Sequence, residues 1–169
     1  MPAISIWKKS SVVVLGAALF CWAGCSSRND KWVAGRPPLF DAEGLVTING
    51  EPLGEAVVTL HPVDGKYAAF ARTDSDGAFR LTTFDDGDGA PAGEYDVTVT
   101  KMEIELEPNP ENPDVLPPIY HSEQSMIPKK YGDLEKSGLT VAIVAEGAND
   151  LRLDLTGPPE RKRVLTDNR

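Results

Sequence analysis

The stretch Gly93-Glu94-Tyr95-Asp96-Val97-Thr98-Val99-Thr100 decides the fold class, because its apolar side chains fall on every second residue. Tyr95, Val97 and Val99 share one face of an extended chain and Asp96, Thr98 and Thr100 the other, the period of a strand with one buried face. The same period recurs on both sides of it. Phe79 and Leu81 alternate with Arg80 and Thr82; further on, Leu139, Val141 and Ile143 lie on one face, as do Leu151, Leu153 and Leu155. Upstream, Ala56, Val58 and Leu60 oppose Val57, Thr59 and His61, and Pro62 ends the pairing. The first strand carries Val46 and Ile48 and runs into Asn49-Gly50, a pair that tolerates positive φ, which predicts a hairpin to the 56–61 strand. A less regular strand is expected around 67–73, closed by the turn Thr73-Asp74-Ser75-Asp76-Gly77. About seven strands and no helix predict an all-β fold, an antiparallel β-sandwich of immunoglobulin-like architecture.

Composition narrows what the chain does. Its 169 residues fit one domain, and 41% apolar with 25% charged residues is the make-up of a folded protein. The net charge is −9. Removing residues 1–24 takes away Lys8 and Lys9 and leaves 15 basic against 26 acidic residues, a net −11. No nucleic-acid partner is expected from that balance, since phosphate binding needs a basic surface. The local exception is Arg161-Lys162-Arg163, with Arg169 at the end, read as a solvated polar tail over 158–169 with contact to acidic lipids or glycans as the alternative.

Lys8 and Lys9 precede an uncharged run over 10–24, shorter than the roughly 20 apolar residues that span a bilayer, and it ends in small residues. That order reads as a cleaved signal segment over 1–24, with a retained membrane helix as the alternative. Trp22-Ala23-Gly24-Cys25-Ser26-Ser27 resembles a bacterial lipobox, with Trp22 where the pattern usually has an aliphatic residue. The resemblance implies that Cys25 is the lipid-attachment residue. Cys21 is the other candidate, but bulky Phe20 stands before it; a Cys21–Cys25 disulfide is a further alternative. With Cys25 acylated and Cys21 removed, no thiol remains for catalysis, zinc binding or cross-linking. Acyl chains on Cys25 would partner the membrane and residues 25–40 form the tether; the signal implies an exported protein on the periplasmic face or cell surface, and the resemblance to lipoproteins with a non-Asp residue after the cysteine, here Ser26, implies an outer membrane.

The sandwich is expected over 41–157. Within it the 101–137 connection, with Pro108, Pro110, Pro113, Pro117 and Pro118, is read as a polyproline-like cover held down by Ile119, Tyr120, Ile127 and Tyr131, or else as a binding flap.

Gly44-Leu-Val-Thr-Ile-Asn-Gly-Glu-Pro-Leu53, Ala56-Val-Val-Thr-Leu-His-Pro62, Thr73-Asp-Ser-Asp-Gly-Ala-Phe79 and Gly89-Ala-Pro-Ala-Gly-Glu-Tyr-Asp-Val97 together resemble the carboxypeptidase regulatory-like domain. The likeness is to its small lipoprotein form in planctomycete bacteria. Ile127-Pro-Lys-Lys-Tyr131, Ser137-Gly-Leu-Thr140 and Asn149 fit the same form, so the resemblance covers roughly 40–156. It implies a transthyretin-like (prealbumin-like) sandwich and says little about function, because the shared residues are mostly turns and core.

Catalytic chemistry is not expected. His61-Pro62-Val63-Asp64 has no third metal ligand placed by a motif, His121 stands in the proline-rich connection, and the chain ends Thr-Asp-Asn-Arg rather than the Tyr-Arg-Gly-Ser of transthyretin-like hydrolases. Tyr95 and Tyr131 have apolar neighbours and read as core. Asp74, Asp76, Asp85, Asp86 and Asp88 are candidate calcium ligands if their loops meet, although Asp and Gly are also what turns require and the later bidentate Glu of a calcium loop is missing. No cofactor is expected. The function that remains is a non-catalytic structural or binding module of the cell envelope, meeting a protein or glycan. The alternatives are an accessory subunit of a secreted enzyme or transporter, and a small transthyretin-like hydrolase.

Overall fold

The computed structural model describes residues 35–169; the expected signal segment, Cys21, Cys25 and most of the tether lie outside them. Strand β1 (Glu43–Ile48) ends in Asn49 and Gly50 at φ 53° and 89°, and returns as the two-residue β2 (Glu51–Pro52), with Ile48 opposite Glu51. Both central residues lie at positive φ, the requirement of the tight turn that Asn-Gly predicts. That hairpin does not join β1 to the next long strand. The chain instead crosses to a second sheet between Leu53 and Ala56, held there by Thr73. This residue is 1% exposed; its hydroxyl donates to the Leu53 carbonyl at 2.7 Å and accepts from the Ala56 N–H at 2.8 Å.

In the second sheet β4 (Ala69–Arg72), β3 (Val57–Pro62), β6 (Gly93–Thr100) and β9 (Leu139–Ile143) lie side by side, all antiparallel. The first sheet is mixed. β1 pairs along its whole length with β10 (Asp150–Leu155) in parallel, while its other edge is shared by β2 and by β5 (Ala78–Arg80). The wholly antiparallel expectation is corrected there. Seven of these strands coincide with the seven periodic stretches of the sequence, and their inner faces meet in one core. Val46, Phe79, Leu151, Leu153 and Leu155 come from one sheet and Val58, Leu60, Tyr95, Val97 and Val99 from the other, all at most 8% exposed. The result is an all-β, sandwich-like body.

A third sheet lies outside that expectation. Lys101 alone separates β6 from β7 (Met102–Glu107), which pairs antiparallel with β8 (Tyr120–Ser125), and β11 (Arg163–Asp167) completes the order β11-β8-β7. The 101–137 connection is thus largely a hairpin, and its prolines punctuate the loop between the two strands. Of its expected anchors, Ile127 and Tyr131 are buried, Tyr131 in the 3-10 turn Lys129–Gly132, whereas Ile119 and Tyr120 are half-buried. The tail over 158–169 is likewise not simply solvated. Lys162 reaches Glu105 at 2.7 Å, Arg163 reaches Glu123 at 3.0 Å, and the Arg169 guanidinium lies 3.9 Å from the Tyr120 ring centroid. Ordered pairing also begins before residue 41, since Phe40 and Ala90 exchange backbone hydrogen bonds.

Candidate binding surface

The direction of the peptide groups in β7 follows from two bonds at its ends. The Met126 N–H donates to the Lys101 carbonyl at 2.8 Å and the Ile119 N–H to the Glu107 carbonyl at 2.9 Å. In an extended chain successive residues turn their N–H and C=O to opposite sides, so residues 101, 103, 105 and 107 address β8. Met102, Ile104 and Leu106 therefore turn theirs to the other edge, where β7 has no strand neighbour among the described residues. The same three residues also share one face of the sheet. These residues are 52%, 56% and 60% exposed, the longest apolar row left open on any described strand.

The opposite face of β7 is acidic. Glu103, Glu105 and Glu107 stand in a row, and the Lys162 ammonium takes Glu105, whose carboxyl it holds below the ordinary glutamate range. Among the described residues Glu103 and Glu107 have no ion-pair partner within 4.0 Å. Ser122, across the ladder from Glu105, is buried and donates to that carboxylate at 3.3 Å.

Where the third sheet meets the sandwich, a cleft of about 560 Å³ opens between β6, the start of β7, β8 and the 3-10 turn. Its walls carry Lys129, Arg161 and Arg163 against Glu123, Asp133 and Glu160. Several of these are engaged within the protein: Arg163 with Glu123, Asp133 with Lys136, and Glu160 with the Lys129 N–H at 3.1 Å. Equal numbers of opposite charges give the cleft no bias toward an anion or a cation. Met102 lies at its mouth, so the apolar row of β7 runs outward from it.

The residues singled out in the sequence occupy other places. Cys25 lies outside the described residues. Asp74 accepts from the N–H groups of Asp76 and Ala78 at 2.9 Å each, and Asp88 from those of Thr83, Phe84 and Asp85 at 2.7, 3.1 and 2.8 Å. Asp76, Asp85 and Asp86 are exposed, and among the described residues no three His, Cys, Asp or Glu side chains are placed to hold a metal ion. The five aspartates do not gather. His61 pairs with the Thr98 hydroxyl at 3.0 Å on the sandwich, and His121 lies 3.5 Å from Glu123 on the third sheet. Tyr95 is buried, its hydroxyl donating to the Pro91 carbonyl at 2.8 Å. The β7 edge escapes a reading centred on catalytic residue types. Its signal is present as Met-Glu-Ile-Glu-Leu-Glu, the same period-two pattern that marks the core strands.

No family model matches the chain, and neither a curated protein nor a solved structure is significantly similar to it.

Proposed function

We propose that this chain is a non-catalytic binding module of the bacterial cell envelope, held at a membrane by acyl chains on Cys25 and presenting its all-β body to a partner. The observation that carries the binding role is the open apolar edge Met102, Ile104, Leu106. Leaving three large apolar side chains in water forgoes about 25 cal/mol for every Å² that a partner would cover, and a contiguous exposed apolar row is a feature of interaction surfaces. Two further features favour a module over an enzyme: the histidines sit on different sheets with separate partners, and two of the acidic-turn carboxylates, Asp74 and Asp88, are taken up by backbone N–H groups of their own turns. We read the body as the transthyretin-like sandwich of the carboxypeptidase regulatory-like family, a reading supported by the sequence resemblance over 40–156 and consistent with the two packed sheets.

Crosslinking of the intact protein in its native cells, followed by identification of what co-purifies, tests the module. A reproducible partner is expected; background alone overturns the reading. The anchor is tested separately. Cys25→Ala is expected to abolish lipid labelling and release the protein from membranes, whereas loss confined to Cys21→Ala would move the attachment upstream.

A further inference from the structure

We infer that the β7 edge is a strand-addition site for an extended segment of another protein in which apolar residues alternate with lysine or arginine. The inference rests on the binding-module reading and names the chemistry of its partner.

Among the described residues, four strands of five or more residues lie at the edge of a sheet on one side: β7, β9, β10 and β11. They are not equivalent. β10 already buries Leu151, Leu153 and Leu155 in the core, and β9 directs Leu139, Val141 and Ile143 toward it, so an added strand would cover little apolar surface there. The pairing of β11 shifts register between Val164 and Thr166, an irregularity that blunts an edge. β7 keeps unbroken register over six residues and turns outward both the peptide groups and the apolar side chains of Met102, Ile104 and Leu106. An incoming strand would gain main-chain hydrogen bonds from these residues and an apolar neighbour beside each.

Charge selects the occupant. On the face that carries Glu103, Glu105 and Glu107, the incoming side chains stand beside carboxylates; among the described residues only Glu105 is in an ion pair, with Lys162, while Lys162 and Arg169 act on Glu103 and Glu107 from beyond contact distance. Basic residues at every second position therefore complement the edge, and acidic ones oppose it. A second copy of this chain does not fit. In an antiparallel pair the residues that turn their peptides to the partner oppose one another, and so do the residues between them. Two copies of β7 would set glutamate against glutamate along the whole row, in a protein whose net charge is already −9. The glutamates thus guard the edge against self-association while leaving it open to a basic strand.

The test uses the full chain in detergent micelles with the peptide acetyl-Lys-Val-Lys-Val-Lys-Val-Lys-amide, its Glu-for-Lys counterpart, and a peptide of the same composition with Lys and Val in two blocks. The lysine peptide is expected to bind, to slow amide exchange at Met102, Ile104 and Leu106, and to bind more weakly as salt is raised. The other two are expected to bind at least tenfold more weakly. In the double variant Glu103→Lys with Glu107→Lys, whose exposed side chains leave the fold intact, the charge preference should reverse. Ile104→Pro removes one outward N–H without touching the bonds of residues 103 and 105 to β8, and should lower affinity at least tenfold. Binding without protection of residues 102–106, binding indifferent to the charge reversal, or concentration-dependent protection of the same amides without peptide would each overturn the assignment. Cellular crosslinks to a partner that avoid 102–107 would overturn it while leaving the binding-module reading intact.

Discussion

Tyr131 and Thr156 exchange a pair of hydrogen bonds: the Thr156 N–H donates to the phenol oxygen at 2.9 Å, and the phenol donates to the Thr156 carbonyl at 3.3 Å. The ring is buried, so this one side chain pins the 3-10 turn beneath the cleft to the chain leaving β10. Tyr131→Phe keeps the ring and deletes both bonds. Because Thr156 is exposed and water can replace the phenol, the expected loss is about 1 kcal/mol, read as a lower denaturant midpoint at unchanged slope. Faster amide exchange at Thr156 should accompany it. An unaltered midpoint together with unaltered exchange would show that the pair bears no load.

Gly44 owes its identity to what stands over it. A Cβ there would lie 2.5 Å from the Leu151 carbonyl oxygen and 2.6 Å from Cζ of Phe79, whose ring covers the glycine from the paired β5. The carbonyl belongs to the β1–β10 ladder and cannot retreat without breaking it. Gly44→Ala is therefore expected to cost about 1–3 kcal/mol by overpacking. Adding Phe79→Leu removes the ring clash but not the carbonyl clash, so a double-variant cycle should show partial recovery only. Complete recovery in urea unfolding would place the whole penalty on the ring.

The strands that bury a face are legible in the sequence, because burial imposes the period by which they are read. Val97 and Val99, or Leu151, Leu153 and Leu155, must be apolar to sit in the core, and their neighbours need not be. The parallel partnership of β1 with β10 is not legible, since no turn connects strands about a hundred residues apart and either neighbour would satisfy the pattern. The third sheet is hidden for other reasons. β8, Tyr-His-Ser-Glu-Gln-Ser, has no apolar alternation, because it runs between β7 and β11 outside the main core, and β11 lies in a basic tail whose charges face the protein's own acids. β7 does alternate, yet prolines beginning one residue beyond its end give the whole connection a polyproline character.

Asp88 gives the acidic turn a pH dependence. Burial of the carboxyl works against ionisation, but the N–H groups of Thr83, Asp85 and Phe84 outweigh it and hold Asp88 below the ordinary aspartate value of 3.8. The folded state then binds fewer protons than the unfolded one, so this stabilisation is complete above 3.8 and fades as pH falls through the lower folded value. Asp88→Asn turns amide hydrogens toward backbone N–H groups, and about 1.5 kcal/mol should be lost at pH 7. Urea unfolding of both proteins at pH 7, 5 and 3 should show equal gaps at the first two and a smaller gap at the third. A gap constant across all three would remove the carboxylate from the explanation.

Asn149 joins three parts of the backbone through one buried amide. Its NH₂ group donates to the carbonyls of Asp41 at 3.0 Å and Val144 at 3.2 Å, and its oxygen accepts from the Val144 N–H at 2.8 Å. The turn between β9 and β10 is closed and the segment leading into β1 is tied to it. Asn149→Asp is nearly isosteric but replaces the two donated bonds with an oxyanion facing two carbonyls, so at neutral pH it should cost about 2–3 kcal/mol, more than Asn149→Ala, which leaves groups unpaired without adding a buried charge. Those carbonyls disfavour the ionised aspartate, so its folded pKa lies above the unfolded one and stability declines as pH rises through that window. Measured against wild type at each pH, the aspartate variant should therefore recover toward acid, where a protonated carboxyl can again donate to one carbonyl. Wild-type stability of Asn149→Asp at pH 7 would mean that the amide does not hold these carbonyls, and that the β9–β10 turn is fixed by the core side chains flanking it.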